Sequence, residues 1–200
     1  LVQKRALNEV VETREHALAC AKTVADRYRC NYEHANFLME TACMIFDKIK
    51  TLHGLNPSYK LLLEIAAILH DCGYFINSKH HLNSNVDIVK YTDIYGLTDK
   101  TTLITAYISR FAESETPNYR DAEFASLKGS EKIIALKLAA IFRLANSLDK
   151  SQKQKLQSVK VRLDEDKFII TAKSDSNTRL EHWAFEKCSA FFQEVFGVQP

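Results

Sequence analysis

Glycine and proline are scarce in this sequence of 200 residues, which contains five glycines and three prolines. Both residue types interrupt regular structure, so their scarcity argues against a sandwich of short strands joined by tight turns and favours long helices. Cysteine is also limited to five residues, which form neither a CxxC pair nor a zinc-finger spacing. This pattern excludes a disulfide scaffold and indicates reduced thiols in a cytosolic protein.

Long apolar runs and a strong excess of one charge are missing as well. No stretch approaches eighteen apolar residues, and the N-terminal segment lacks the apolar core of a signal peptide. We therefore expect a soluble, cytoplasmic protein with no membrane partner. The net charge of +2 is too small to indicate a nucleic-acid partner. It is unevenly distributed, because residues 128–160 contain eight basic and two acidic side chains, a local charge of +6.

Apolar residues recur at helical spacing over most of the first 150 residues. The pattern predicts helices over about 6–29, 32–52, 59–72, 81–92, 99–112 and 131–148. We expect Ser58 and Ser130 to cap two of these helices at their N-termini and Gly73 to end the third as a C-cap. Residues 61–69 carry a single charge, which is typical of a helix in the middle of a bundle.

The periodicity changes after residue 150. Val159, Val161 and Leu163 alternate with polar residues, and a second strand-like run covers 168–172, which together predict a β-hairpin. Helical spacing returns from Thr178, and it predicts that Trp183 and the Phe191–Phe192 pair pack in the core against the hairpin. The fold class is therefore mainly α, with a helical domain over 1–150 and a small β-β-α unit over 151–200.

The dipeptide His70–Asp71, at the end of the most apolar predicted helix, is the sharpest chemical feature. An imidazole and a carboxylate form a mixed nitrogen and oxygen set that suits Mn, Fe, Zn or Mg, with water completing the coordination. A structural histidine that is hydrogen-bonded to the backbone gives the same pattern. The dipeptide alone therefore leaves both interpretations open.

Several sequence blocks in order resemble the C-terminal HD-type domain of the exopolyphosphatase/guanosine pentaphosphate phosphatase (Ppx/GppA) family. The resemblance covers roughly residues 8–198. It is carried by YEHA (32–35), FDKIKTLHGL (46–55), LLLEIAAILHDCGY (61–74), KHH (79–81), YGLT (95–98), IFRLANSLDKS (141–151) and LEHW (180–183). It implies an HD-domain-like helical bundle followed by the β-β-α unit.

The resemblance also implies a metal site, which is depleted in this sequence. His34 matches the first histidine of HD phosphohydrolases and His70–Asp71 match the central pair, whereas Asn146 stands where a later aspartate is expected. Two further family positions are lost: Asn83 replaces a histidine, and Ala112 and Glu113 replace a His-Arg pair. His34, His70 and Asp71 could still hold a divalent metal with water filling the other positions. They could equally form a buried hydrogen-bonded cluster without a metal.

In this family the hydrolytic site belongs to N-terminal actin-like domains, which bind phosphates through glycine-rich loops, and the parent enzyme would use Mg²⁺. Such loops are missing from this sequence. The resemblance therefore implies a C-terminal domain that binds substrate, regulates the enzyme or holds a homodimer together. The substrate would be polyphosphate or guanosine pentaphosphate. The alternatives are a stand-alone HD metallophosphohydrolase and a purely architectural dimerisation domain.

The basic region suggests where a polyanion would bind. A row of cations gains affinity for a linear polyanion by releasing counterions. The candidate anion-binding residues are Arg110 and Arg143, which match family positions, together with Lys150 and Lys153. Alternatively, Arg143 could pair with an acidic residue near the pocket, and the lysines could form a solvated surface.

Overall fold

In the computed structural model the chain is mainly α-helical and carries an antiparallel hairpin near its C-terminus. The structure describes residues 2–113, 121–164 and 167–200, and side chains from residue 10 onward within those ranges. The elements are α1 (Val2–Arg27), α2 (Tyr32–Lys48), α3 (Lys50–His53), a 3-10 turn (Pro57–Tyr59), α4 (Lys60–Leu69), α5 (Cys72–Ile76), α6 (His81–Tyr91), α7 (Asp99–Arg110), α8 (Ala122–Ser126), α9 (Gly129–Ser147), β1 (Gln157–Asp164), β2 (Lys167–Lys173) and α10 (Arg179–Phe196). Within the described ranges, no helix has the length and apolar character needed to cross a bilayer.

Helix α4 lies at the centre of the bundle, as its apolar composition predicts. It packs against α1, α2 and α7, and every residue from 62 to 69 is buried. Glu64 is the one charged side chain of that stretch, and Arg14 of α1 meets its two carboxylate oxygens at 2.9 and 2.5 Å. These two charged hydrogen bonds offset the free energy that the carboxylate loses when it is removed from water. The helix that leads to His70 is therefore rigidly held.

The C-terminal helix packs against α9, and strand β1 of the hairpin packs against α2. Strands β1 and β2 pair antiparallel, with Val161 opposite Ile170, and α10 packs against α9. The rings of Phe168 and Phe192 stack with centroids 5.3 Å apart, and both belong to the same buried cluster as Phe142 of α9. This confirms the predicted hairpin followed by a helix, and the predicted core position of Phe192.

Three predicted helix boundaries are wrong, two of them because another residue provides the hydrogen bond to the backbone N–H. Asn56 rather than Ser58 provides the cap, accepting the N–H of Ser58 at the start of the 3-10 turn. Helix α9 begins at Gly129, before Ser130, and Glu131 accepts the N–H of Lys128. Gly73 lies inside α5 and is not a C-cap, since it has no left-handed φ. Its hydrogen side chain instead allows α5 and α6 to approach each other, because a Cβ there would lie 2.0 Å from the carbonyl oxygen of His81.

Candidate metal and anion site

His70 and Asp71 form the short connection between α4 and α5. Helix α4 ends at Leu69, one turn earlier than its pattern predicts, and Asp71 has φ −97° and ψ 0°. This backbone conformation is sparsely populated and recurs at active sites. It places the His70 Nε2 atom 3.5 Å from Asp71 Oδ1. Burial lowers the pKa of His70, so its ring is neutral at neutral pH and keeps a lone pair for a ligand.

His34 lies in the first turn of α2, and Asp149 follows the end of α9. Asn31 caps α2 by accepting the N–H groups of Glu33 and His34. The His34 Nδ1 atom lies 2.8 Å from Asp149 Oδ2, and both side chains are buried. Burial alone would raise the pKa of Asp149, but hydrogen bonds from His34 and Gln154 hold it below its ordinary value. An ionised carboxylate only accepts hydrogen bonds, so His34 donates from Nδ1 to Asp149.

The three predicted metal-binding residues converge in the fold. One ligand atom from each of His34, His70 and Asp71 lies within 4.8 Å of the other two. In the described part of the chain, His34 Nε2, His70 Nδ1 and Asp71 Oδ1 are buried without a hydrogen-bond partner. Buried polar atoms are normally satisfied. The unsatisfied atoms, the mixed donor set and the His34–Asp149 pair together fit a divalent cation, because ligating histidines usually donate their other N–H to a carboxylate.

Two glutamines hold the carboxylates around this cluster. Gln152 donates from Nε2 to Asp71 Oδ2 at 2.7 Å, and Gln154 donates from Nε2 to Asp149 Oδ2 at 2.7 Å. Both glutamines have positive φ, 53° and 44°. Such backbone conformations cost energy in residues other than glycine and persist where the surroundings impose them. The segment after α9 therefore folds back and places the two glutamine side chains on Asp71 and Asp149.

A cavity of about 210 Å³ lies between α9, α10 and the end of α7, and two of its lining residues, Glu113 and Lys150, interact electrostatically with His70. Three cations contribute to its wall, namely Arg143, Lys150 and Lys187, together with Glu113 and the edge of Trp183. Lys150 Nζ lies 2.9 Å from Glu113 Oε1. Burial alone would raise the pKa of Glu113, but Lys150 and the nearby histidines hold it below its ordinary value, so this carboxyl is ionised. Because the lining contains three cationic side chains and one carboxylate, the cavity wall has a net positive charge.

The four predicted anion-binding residues lie in three places. Arg143 and Lys150 line the cavity, whereas in the described part of the chain neither Arg110 nor Lys153 does. Arg110 lies 3.2 Å from Asp121, and Lys153 is exposed on the surface after α9. Arg143 is buried, donates from Nε to the carbonyl oxygen of Phe111 at 2.7 Å, and stacks over the Phe191 ring at 4.3 Å. Its position is therefore fixed before any ligand arrives.

The positions at which the sequence resemblance led us to expect other residues mostly lie at this cavity. Ala112, Glu113 and Asn146 all line it, whereas Asn83 is exposed on α6 and is not among the lining residues. Ala112 and Asn146 provide neither an imidazole nor a carboxylate, so this side of the site has fewer metal ligands and less negative charge than the resemblance implies. A wall of this composition suits an anion better than a cation.

Sequence reasoning missed Asp149, the two glutamines, Lys187 and the true position of Trp183. Trp183 was expected in the core, but 51% of its surface is exposed, and Lys187 Nζ lies 4.2 Å from its ring centroid. Their spacing of four residues places both on one face of α10, which the sequence could have shown. Asp149 lies in the quoted LDKS segment, but only the fold brings it to His34, 115 residues away.

Residues 18–187 match the family model described as Ppx/GppA phosphatase, domain III. The match spans most of the chain, so this protein belongs to the Ppx/GppA phosphatase domain III family. The family resemblance inferred from the sequence blocks is thereby confirmed. No curated protein matches the chain.

Proposed function

We propose that this chain is the substrate-binding and regulatory domain of a Ppx/GppA-type phosphatase. It binds the phosphates of polyphosphate or guanosine pentaphosphate, while actin-like domains with Mg²⁺ carry out hydrolysis of the terminal phosphate. The observation that carries this proposal is the cavity wall formed by Arg143, Lys150 and Lys187. A preformed group of cations with a single opposing carboxylate suits a compact phosphate chain.

The cluster of His34, His70 and Asp71 supports the same role in a second way. These residues would hold Mn, Mg, Fe or Zn in an HD-like site next to the cations, and the metal would supply a further positive charge for phosphoryl oxygens. Asp149 orients His34, and Gln152 leaves one oxygen of Asp71 free. In this proposal the domain acts in the cytoplasm as part of a homodimer, and its free cysteines suit that compartment.

The test is equilibrium binding of polyphosphate to the purified chain and to charge-reversal variants. We expect Lys150→Glu and Lys187→Glu each to weaken binding about tenfold or more, because each adds repulsion at the cavity wall. Lys153→Glu is the matched control, since it makes the same charge change on the same surface outside the cavity. Equal weakening by all three variants would show that only the general charge matters and would contradict a site in the cavity.

A second candidate function is independent hydrolysis as an HD metallophosphohydrolase. It is favoured by the convergence of His34, His70 and Asp71 with unsatisfied donor atoms. Asn146 counts against it, because a neutral amide replaces the carboxylate that the family pattern provides. Release of phosphate from polyphosphate by this chain with Mn²⁺, abolished by His70→Ala, would support this candidate. A stable dimer that binds no polyphosphate would instead fit an architectural role.

A further inference from the structure

Two cysteines from distant parts of the sequence lie in contact beside the cluster of His34, His70 and Asp71. The Sγ atoms of Cys30 and Cys72 are 2.9 Å apart, although 42 residues separate them. Both are free thiols. A disulfide requires a sulfur separation of about 2.05 Å, so the two atoms need to approach each other by only roughly 0.9 Å.

The two cysteines flank the residues that carry the cluster. Cys30 directly precedes Asn31, the N-cap of the helix on which His34 stands, and Cys72 directly follows Asp71. Asn31 and Asp71 are already connected through Gln152, which accepts from Asn31 and donates to Asp71. A covalent bond at this point would join the start of α2 to the connection between α4 and α5. We propose that Cys30 and Cys72 form a reversible disulfide that locks the His34 and His70–Asp71 halves of the cluster together.

The exposures of the two thiols define an order of events. Cys30 is partly exposed, whereas Cys72 is fully buried, so a small oxidant such as hydrogen peroxide reaches Cys30 first. The Cys30 thiol loses its proton and its sulfur attacks a peroxide oxygen, the O–O bond breaks, and the leaving hydroxide takes up the proton, so that a sulfenic acid and one water are formed. The Cys72 sulfur then attacks the Cys30 sulfur, loses its proton and displaces the hydroxyl as a second water. The two thiols together lose two electrons, which reduce peroxide to water, and a small dithiol reverses the change.

The other cysteines have different surroundings. Cys20 donates to the carbonyl oxygen of Asp93 at 3.4 Å, and Cys43 lies 3.9 Å from a carboxylate oxygen of Glu64. Neither position places a second thiol in reach within the described contacts. Disulfides in reducing compartments are uncommon and are typically transient and regulatory. The inferred bond is of that kind, and it stands independently of whether the cavity binds polyphosphate.

Peptide mapping tests the bond directly. In a Cys43→Ser background, trypsin gives one peptide over 30–48 with Cys30 as its single cysteine and one over 61–79 with Cys72 as its single cysteine. After treatment with hydrogen peroxide we expect these two peptides to be joined, 2 Da lighter than their sum, and to separate again with dithiothreitol. Oxidation of Cys30 to sulfinic acid with Cys72 still free, or joining of the Cys72 peptide to a peptide that carries Cys20 or Cys188 instead, would overturn the proposal.

Thermal unfolding provides a second readout. A bond that closes a loop of this length restricts the unfolded chain, and we expect the unfolding midpoint to rise by about 5–10 °C on oxidation. The rise should vanish in Cys30→Ser and persist in Cys20→Ser, which removes a thiol outside the pair. An unchanged midpoint in a sample shown to contain the joined peptides would overturn the claim that the bond locks the cluster.

Discussion

The His34 Nδ1 atom lies 2.8 Å from Oδ2 of Asp149, and this pair connects the first turn of α2 with the residue after α9. Asp149 receives two further hydrogen bonds from Gln154, one from its backbone and one from its side chain. The carboxylate is therefore held on both sides. It fixes the orientation of the His34 ring, which lies beside His70 and Asp71 in the cluster.

Replacement of Asp149 tests this orienting role. We expect Asp149→Asn to weaken binding of Mn²⁺ about 10- to 100-fold, because His34 loses the charged hydrogen-bond partner that orients its ring. The measurement is calorimetric titration of the metal-free chain with Mn²⁺. Asp164→Asn on the exposed side of β1 is the control, and it should bind Mn²⁺ with the same affinity as the unsubstituted chain. Equal affinities for the two variants would contradict the assigned role of Asp149.

His53 predicts a dependence of stability on pH. It is buried, its Nε2 lies 2.8 Å from the carbonyl oxygen of Phe46, and its Nδ1 accepts the N–H of Leu55. Burial lowers the pKa of His53 below 6.5. The unfolded chain therefore takes up a proton below about pH 6.5 that the folded chain resists, and the free energy of unfolding should fall as the pH drops below that value.

Urea unfolding at pH 7.5 and 5.5 measures this effect. We expect His53→Gln to lose less stability than the parent over that interval, since glutamine can still donate to Phe46 but does not titrate. His182→Gln is the matched control because His182 is exposed. An equal loss in the parent chain and in His53→Gln would show that His53 does not contribute to the pH dependence.

Gly73 predicts a strong packing effect at the connection that carries Asp71. A Cβ at this position would lie 2.0 Å from the carbonyl oxygen of His81 and 2.8 Å from the backbone nitrogen of Asn85. We expect Gly73→Ala to lower the free energy of unfolding by about 3 kcal/mol, because backbone atoms of α6 cannot move aside locally. Gly129→Ala is the control, since a Cβ there meets nothing within 4 Å. Chemical denaturation that gives similar stabilities for both variants would exclude the close approach of α5 and α6.

The salt dependence of polyphosphate binding counts the cations that take part. Each cation that neutralises a phosphate releases counterions, so log K falls with log salt in proportion to the number of contacts. We expect Lys150→Gln and Lys187→Gln each to reduce that slope by about 1. Lys153→Gln should leave the slope unchanged. A slope that does not depend on either cavity lysine would remove them from the proposed site.

The fold could largely be predicted because each element follows from a local pattern. The apolar run of α4, the alternation around Val161 and the helical spacing of α10 all correspond to observed elements. The helix boundaries differ because Asn56 and Glu131 compete with the serines for the free backbone N–H groups. Close approach of two helices at Gly73 is a tertiary effect that no local pattern reveals.

The candidate site could be predicted only in part for the same reason. His34, His70 and Asp71 stand in family blocks, and the fold brings them together. The supporting residues do not belong to recognisable motifs: Gln152 reaches Asp71 from 81 positions away through a left-handed backbone. Trp183 occupies a helical stripe that resembles a core face, and only the packing of α10 on α9 leaves it at the cavity edge.

Fluorescence of Trp183 tests the central claim most directly, because it is the only tryptophan of the chain and lines the cavity. Lys187 lies over its ring at 4.2 Å, so a phosphate chain that engages this lysine changes the surroundings of the indole. Titration with polyphosphate, and in parallel with guanosine pentaphosphate, should give a saturable change for at least one of them. That change should be lost in Lys150→Glu and retained in Lys153→Glu. Polyphosphate and nucleotide binding detected by calorimetry without any change in Trp183 fluorescence, or no binding at all, would contradict the account.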